Sequence, residues 1–329
     1  MLNIKPEFYD AFKCIADKCT DSCCVGWEIV IDNDSLSEYK KMNTEFGEKI
    51  RENITEDECS SKIFKLDEKE RCPFLNEKNL CDIITNCGED SICYICKEHP
   101  RFYNDFAEAT EYGLGLCCEE VCRLLIENDA PLGFVSEEDG FPDDYYANGE
   151  NEPEYYKATY KLREKFYEVL SGEESYNEKV KRIIGLTEEY TNEEFETDRD
   201  KRILERYKET EPINEEWTEF FNELNENIGL ILEKEKPFDE NSNGDKKYSK
   251  ILSYTIFRHL MKSIFLDTAS LSEHLNFCLS GVRFIKLCDI KTYCEKGELT
   301  LKDRIDNIKR WSKQIEYSED NVDLLTFEN

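Results

Sequence analysis

The chain has 329 residues and a formal charge of −31 at pH 7, with 36% charged and 39% apolar residues. An acidic surface repels phosphate backbones, which excludes a nucleic-acid binder, and no run of apolar residues approaches the length of a membrane span. Aromatic residues reach 12%, supplying large side chains for a core despite the lean apolar content, and the length suits two structural regions.

In chain order, Met1 to Asp10 (MLNIKPEFYD) lacks the basic region and apolar run of a secretory signal. A cytoplasmic protein with reduced thiols is therefore expected. Pro6 precedes Phe8, Tyr9 and Phe12, one or two helical turns that lead into Cys14. Cys14, Cys19, Cys23 and Cys24 follow, then Gly26 and Trp27, with Trp27 placed to cover whatever the thiols hold. Trp27, Ile29 and Ile31 alternate with polar or outward positions, the period of a strand. Ser35 with Glu38 makes a capping box for a helix carrying Leu36, Tyr39 and Met42.

Ile63, Phe64 and Leu66 give a short strand signal, and Cys72-Pro-Phe-Leu75, a turn at 76–79 and Leu80-Cys81-Asp-Ile-Ile84 read as a hairpin joining two thiols. Pro100 ends a helix begun near Ile92. Gly113 and Gly115 offer backbone freedom before Cys117, and 119–127 is helical. From Glu137 to Glu154 there are eight acidic side chains and no basic one, with Gly140, Pro142, Gly149 and Pro153 among them; this marks 129–154 as a linker. Helical stripes follow at Tyr156 to Leu170, Val180 to Ile184, Ile203 to Tyr207 and Trp217 to Ile228, then the most apolar helix, Tyr248 to Leu266. Cys278, Cys288 and Cys294 fall on later helical segments as buried structural thiols.

Thirteen of the sixteen cysteines precede residue 123. Three chemistries compete for them. Disulfides are disfavoured in a reducing compartment and in a chain long enough to build a core. Structural zinc wants pairs of tight knuckles, and Cys93-x2-Cys96 alone has that spacing. The main cluster, Cys-x4-Cys-x3-Cys-Cys, suits an iron–sulfur centre caged by distant loops, although it is no ferredoxin run. The fold class that follows is mainly α: a Cys-rich N-terminal region (1–128) with short strands and loops around a metal cluster, the acidic linker (129–154) and an α-helical C-terminal region (155–329).

Phe12-Lys-Cys14 with Cys19, Cys23-Cys24-Val-Gly26-Trp27-Glu-Ile-Val-Ile-Asp32, Cys72-Pro73-Phe74-Leu75 with Leu80-Cys81, Cys96-Lys-Glu-His-Pro100-Arg101 and Leu116-Cys117-Cys118-Glu-Glu120 resemble, in this order, the flagellin lysine N-methylases. A wider group of zinc- or iron-chelating proteins shares a CxxCxxCC pattern. The detailed match spans about residues 8 to 125, and Tyr254-Thr-Ile-Phe257-Arg258-His259 echoes it later. The resemblance implies a [4Fe-4S] protein that moves a methyl group from S-adenosylmethionine to lysine side chains of flagellin. Its cysteines fall on Cys14, Cys19, Cys23, Cys24, Cys72, Cys81, Cys96 and Cys118. That is more than a cubane needs, and Cys19, Cys23 and Cys24 with Cys72, Cys81 or Cys96 are the first choice. Cys93 stands where the pattern demands no cysteine, so its knuckle with Cys96 is incidental in this reading. Cys117 and Cys122 are additional, and Cys59 and Cys87 match nothing.

Arg101, near Cys96, suits neutralisation of a cluster or a bidentate hold on the S-adenosylmethionine carboxylate; a surface salt bridge is the plain alternative. Arg258 has the same cofactor-binding role, against an interdomain salt bridge, and His259 reads as a satisfied core histidine. The chain has no G-x-G-x-x-G after a strand, so no Rossmann-type methyltransferase is evident, and no radical-enzyme C-x3-C-x2-C, because position 26 is glycine. Deprotonating a lysine amine at pH 7 costs about 4.6 kcal/mol, and Asp32, Glu98 and Tyr103 are the candidate acceptors. A metal-binding module without catalysis, an electron carrier or chelating domain, is the rival from another class.

Overall fold

The computed structural model describes residues 2–138, 153–195, 197, 200–242, 244–265 and 268–327. Six strands and fourteen α-helices are described: β1 Leu2–Pro6, α1 Asn33–Lys41, α2 Glu45–Glu52, β2 Ile54–Glu56, β3 Lys62–Phe64, α3 Asp82–Cys87, α4 Tyr94–Glu98, β4 Arg101–Asp105, β5 Ala109–Leu114, α5 Glu119–Ile126 and β6 Phe134–Glu138. The helical run continues with α6 Pro153–Ser171, α7 Tyr176–Thr191, α8 Asp200–Glu209, α9 Glu215–Glu226, α10 Ile228–Ser242, α11 Asp245–His259, α12 Leu271–Lys296, α13 Leu301–Glu316 and α14 Glu319–Thr326. Helices dominate, as the apolar periodicity of the second half requires.

Two compact units interleave along the chain. One, here the Cys-rich unit, comprises Lys13–Phe102 with Cys118–Glu120; the other, the helical unit, comprises Met1–Phe12, Tyr103–Cys117 and Val121–Asn329. Most of the acidic stretch 129–154 lies outside the described residues, but its described part at 134–138 is a strand rather than a linker. The reason is a partner: β6 runs antiparallel to β1 from Leu2↔Glu138 to Pro6↔Phe134, and Phe134 stacks its ring between Tyr167 and Phe257.

In the Cys-rich unit the alternation at 27–31 places Ile29 and Ile31 inside and Val30 outside. The segment bonds to β3 through Ile31 N to Lys62 O (2.7 Å) and Phe64 N to Ile29 O (3.2 Å). Helix α1 starts earlier than the capping box at Ser35 suggests, because Asp32 is the cap and accepts from Ser35 N at 2.9 Å and from Ser35 Oγ at 2.8 Å. The other end of α1 is closed by Arg51 of α2, whose guanidinium donates to the carbonyls of Tyr39 and Met42. Tyr39, Ile50, Phe64 and Phe74 fill the centre, with the Phe64 and Phe74 rings edge to face at 4.9 Å.

The helical unit carries a four-stranded sheet, β4-β5-β1-β6, with β1 parallel to β5. Glu111 of β5 meets Arg163 of α6 in a bidentate pair that is fully buried, and the guanidinium lies over the rings of Tyr160, Tyr167 and Phe257. Paired in this way the two charges satisfy each other, and breaking either side would strand the other. Helix α11 is buried nearly all round, and the 26-residue α12 packs against α10, α11 and α13. A capping box of Ser270 and Glu273 opens α12, and Gly297 closes it at φ 79°. Cys278 and Cys288 are buried on this helix, whereas Cys294, expected inside, is exposed on its last turns. No described helix is long and apolar enough to cross a membrane.

Candidate functional site

The Cys-rich unit brings five thiols to one core. Cys72 and Cys93 are buried in it, and Cys24, Cys81 and Cys96 pack against it half-buried. Local chemistry explains each placement. Cys72 N donates to Cys24 O at 2.8 Å, beside a bridge between Val25 and Arg71, so the segment ending the first cysteine run lies along the segment leading into the hairpin. The hairpin closes by Asn76 N to Leu80 O at 3.0 Å and Asp82 N to Phe74 O at 2.7 Å. Inside its turn the Asn76 carboxamide accepts from Lys78 N and Leu80 N, and Asn79 takes a φ of 57°, a conformation asparagine tolerates. Cys72 and Cys81 are thereby joined, as the sequence suggests.

Cys93 is the residue before α4 and Cys96 sits one turn later, with their sulfurs 3.3 Å apart. The hydrogen bond between them raises the Cys96 thiol and lowers Cys93; burial and the neighbouring Cys93, Cys24 and Cys72 also push Cys96 up. Burial pushes Cys72 up to about 11, with Cys81 and Cys93 adding to it, and burial raises Cys81 too. Burial of the pair disfavours two thiolates there without a cation. Cys93 is the ligand candidate that sequence reasoning set aside. Its CxxC spacing with Cys96 was the signal, and the two sulfurs do stand together.

Among the described residues no three His, Cys, Asp or Glu side chains stand around a common metal-ion position. The fit to a metal therefore rests on the donor set: five cysteine sulfurs in apolar surroundings, the chemistry that selects zinc or iron–sulfur centres over hard cations.

The remaining expected ligands stand elsewhere in the unit. Cys14 is exposed and accepts from Ala16 N at 3.4 Å. Cys19 points its sulfur to Glu119 Oε2 at 3.8 Å, and the same oxygen accepts from Thr20 N at 2.9 Å and Thr20 Oγ1 at 2.5 Å. Cys23 is exposed, its carbonyl accepting from Trp27 Nε1 at 2.5 Å, while the Trp27 ring lies 5.7 Å from that of His99. Cys118 is half-buried. Of the first cysteine run, Cys24 joins the packed core.

Asp32 is committed to backbone. Besides Ser35 it accepts from Tyr94 N at 2.8 Å, and although burial opposes ionisation these bonds hold its pKa below the ordinary carboxylate value. A carboxylate so satisfied is a weak base. Glu98 ends α4 half-buried, Tyr103 is exposed on β4 with its ring 6.1 Å from Tyr112, and Arg101 Nη1 donates to Lys97 O at 3.1 Å.

In the helical unit Arg258 Nη1 lies 3.0 Å from Glu316 Oε2, His259 Nε2 lies 2.8 Å from Glu316 Oε1, and Ser312 Oγ donates to the same carboxylate. Burial works against the Glu316 charge, but Arg258 and His259 hold it down to about 2. Burial likewise pulls His259 down to about 4 against the attraction of Glu316, so the imidazole is neutral at pH 7. His259 is the satisfied core histidine expected, and the Arg258 ion pair lies within one unit rather than between two. Glu316 went unmarked in the sequence, yet it continues the buried stripe Ile305, Ile308 and Ser312 at helical spacing.

A family model described as the FliB lysine N-methylase C-terminal domain matches residues 138–326. The flagellar biosynthetic protein FliU of Salmonella muenchen is 26% identical over 147 residues, 38% of this chain and 78% of that protein. The lysine-N-methylases of Salmonella typhimurium and Salmonella choleraesuis are each 26% identical over 147 residues, 38% of this chain and 33% of theirs. The chain thus aligns with about a third of the length of those two enzymes. No solved structure gives a significant match. With the family model covering more than half of its length, the chain belongs to the FliB lysine N-methylase family.

Proposed function

We propose that this chain methylates lysine side chains of flagellin in the cytoplasm, with S-adenosylmethionine as methyl donor and a [4Fe-4S] cluster held by thiolates from among Cys24, Cys72, Cys81, Cys93 and Cys96. Family membership supports the lysine chemistry, and the names of its relatives point to the flagellum. The observation that supports the metal reading is that five cysteines belong to or pack against one apolar core. When bound, the methyl donor supplies a cationic sulfonium whose methyl carbon an amine can attack.

The chain's own residues then have three tasks. The net charge of −31 attracts a lysine-bearing protein and raises its encounter rate. A guanidinium grips the donor's carboxylate; Arg101 shares a unit with the five thiols, while Arg258 already neutralises Glu316. Finally the lysine ammonium must shed a proton, which burial beside a sulfonium favours and which Glu98 or Tyr103 can accept more readily than the capped Asp32.

The test is anaerobic purification with iron, sulfide and zinc counts, then incubation with methyl-labelled S-adenosylmethionine and the cognate flagellin. About four irons and four sulfides per chain, with label on flagellin lysines, are expected. Zinc without sulfide overturns the cluster. A loaded protein that leaves cognate flagellin unlabelled is the non-catalytic metal module instead.

A further inference from the structure

The helical unit contains a basic pocket unrelated to the thiols. It is a small cleft enclosing about 30 Å3, lined by Lys179 of α7, Lys246 and Lys250 of α11, Tyr167 and the acidic residues Asp129 and Glu173. In a chain with 74 acidic and 43 basic residues, three lysines around one cleft need a reason. Lys179 is 2% exposed and Lys250 is 5% exposed, yet among the described residues neither forms an ion pair. Lys179 Nζ donates to Leu170 O (3.0 Å) and Ser249 Oγ (3.2 Å); Lys250 Nζ donates to Asn128 Oδ1 (3.0 Å) and Asn128 O (3.4 Å). All of these acceptors are neutral.

The nearby carboxylates pair with other basic side chains, Glu173 with the cleft's own Lys246. Asp129 pairs with Lys247 at 2.9 Å, Glu173 with Lys246 at 3.6 Å, and Glu174 with Arg182. The two buried ammoniums thus feel carboxylates only at a distance, Asp245, Glu174 and Glu173 for Lys179 and Glu7, Asp129 and Glu127 for Lys250, and an anion in direct contact would offset more of the cost of burying them. Each ammonium has three donors, and Lys179 spends two on the protein. The Tyr167 hydroxyl is buried with no hydrogen-bond partner, so a polar group on the lining is also unsatisfied.

We propose that this cleft is a binding site for a phosphate-like oxyanion, with Lys179 and Lys250 as its two cationic contacts and Lys246 at its edge. Burial holds both lysines' pKa below the ordinary value, and a bound dianion would raise it again. Lysines serving only to bond neutral carbonyls would not need to line a common cleft. The same phosphoryl chemistry is offered by free phosphate and by a phosphate monoester, which the experiment separates.

Thermal unfolding of the full chain is followed against inorganic phosphate or glycerol 3-phosphate, up to about 20 mM, with chloride at matched ionic strength as reference. A saturable rise in Tm is expected, and Lys179→Met and Lys250→Met should each weaken the apparent affinity about 10- to 100-fold. Lys181→Met, an exposed site on the same helix, should leave it unchanged. If Lys179→Met does not fold, Lys250→Met decides alone. A response to the ester only assigns a larger ligand to the same contacts. No rise beyond chloride with either anion, or an equal rise in the lysine variants, overturns the site.

Discussion

The Asp32 carboxylate accepts the backbone N–H of Tyr94 at 2.8 Å, tying the start of α1 to the start of α4, the helix that carries Cys96 and follows Cys93. One side chain thus serves two helix ends, and the position of the CxxC pair depends on it. Asp32→Ala removes both caps and should cost about 1–3 kcal/mol, read as a lower Tm together with reduced metal loading. Asp32→Asn keeps one acceptor oxygen and should lose less. An unchanged Tm in Asp32→Ala would remove the capping role, and a metal-loaded, stable Asp32→Asn without transfer activity would restore Asp32 as the base.

Cys93 makes a sharper test of the metal reading because it is fully buried beside Cys96. Cys93→Ser and Cys96→Ser should each strongly reduce the metal bound per chain, since oxygen is a harder and weaker ligand for these centres. Cys59→Ser, at an exposed thiol, should bind as much as the parent. Metal counts on the three purified variants check this. Loading in Cys93→Ser equal to the parent would remove Cys93 from the ligand set.

How much of this was legible in the sequence differs by element. The helices of the second half were, because their apolar stripes recur at 3.6 residues over long windows. The hairpin at 72–81 was, because its turn residues sit between two thiol-bearing runs. Strands β1 and β6 were not: Leu2–Pro6 is short, and its pairing with residues 134–138 is more than 120 positions away, a contact that no local period announces. Asp32 also displaced Ser35 as the cap of α1, since both residue types cap equally well and the outcome depends on where the chain turns. For Cys93 the spacing was present and the family pattern overrode it. A pattern records which positions a family requires, whereas the packing of this chain depends on every sulfur near the core.

The Glu316 cluster sets an acid limit on the helical unit. His259 has a folded pKa of about 4 against 6.5 ordinarily, so below pH 6.5 the unfolded chain takes a proton that the fold refuses. Glu316 has a folded value of about 2 against 4.5, so its charge is retained by the fold after the unfolded chain has lost it. Both groups bind more protons when unfolded, and stability therefore rises with pH. The contribution is full above about pH 6.5 and falls progressively from there towards pH 2. Glu316→Gln should flatten the part below about pH 4.5 and, by removing the buried carboxylate that faces Arg258 and His259, lower stability at pH 7 by about 3–5 kcal/mol. Urea unfolding from pH 3 to 8 measures both effects, and a pH profile identical to the parent's would mean that the carboxylate is solvated rather than held.

Gly281 tests the packing of α12 against α13. A Cβ built there would lie 2.6 Å from Cζ2 of Trp311, closer than carbon atoms approach. Trp311 is fully buried and its Nε1 donates to Tyr207 OH at 2.7 Å, while the Tyr207 ring stacks on Phe284 at 4.2 Å, so the indole has little freedom to retreat. Alanine would gain up to about 1 kcal/mol of helix propensity over glycine, but overpacking costs about 1–3 kcal/mol. The clash with the indole outweighs the gain in propensity, and Gly281→Ala should lower the Tm of the helical unit. Gly185→Ala on α7, where a new Cβ meets nothing within 4 Å, should instead leave Tm unchanged or raise it. If Gly281→Ala were the stabilised variant of the two, the α12–α13 contact would be looser than the Trp311 hydrogen bond implies.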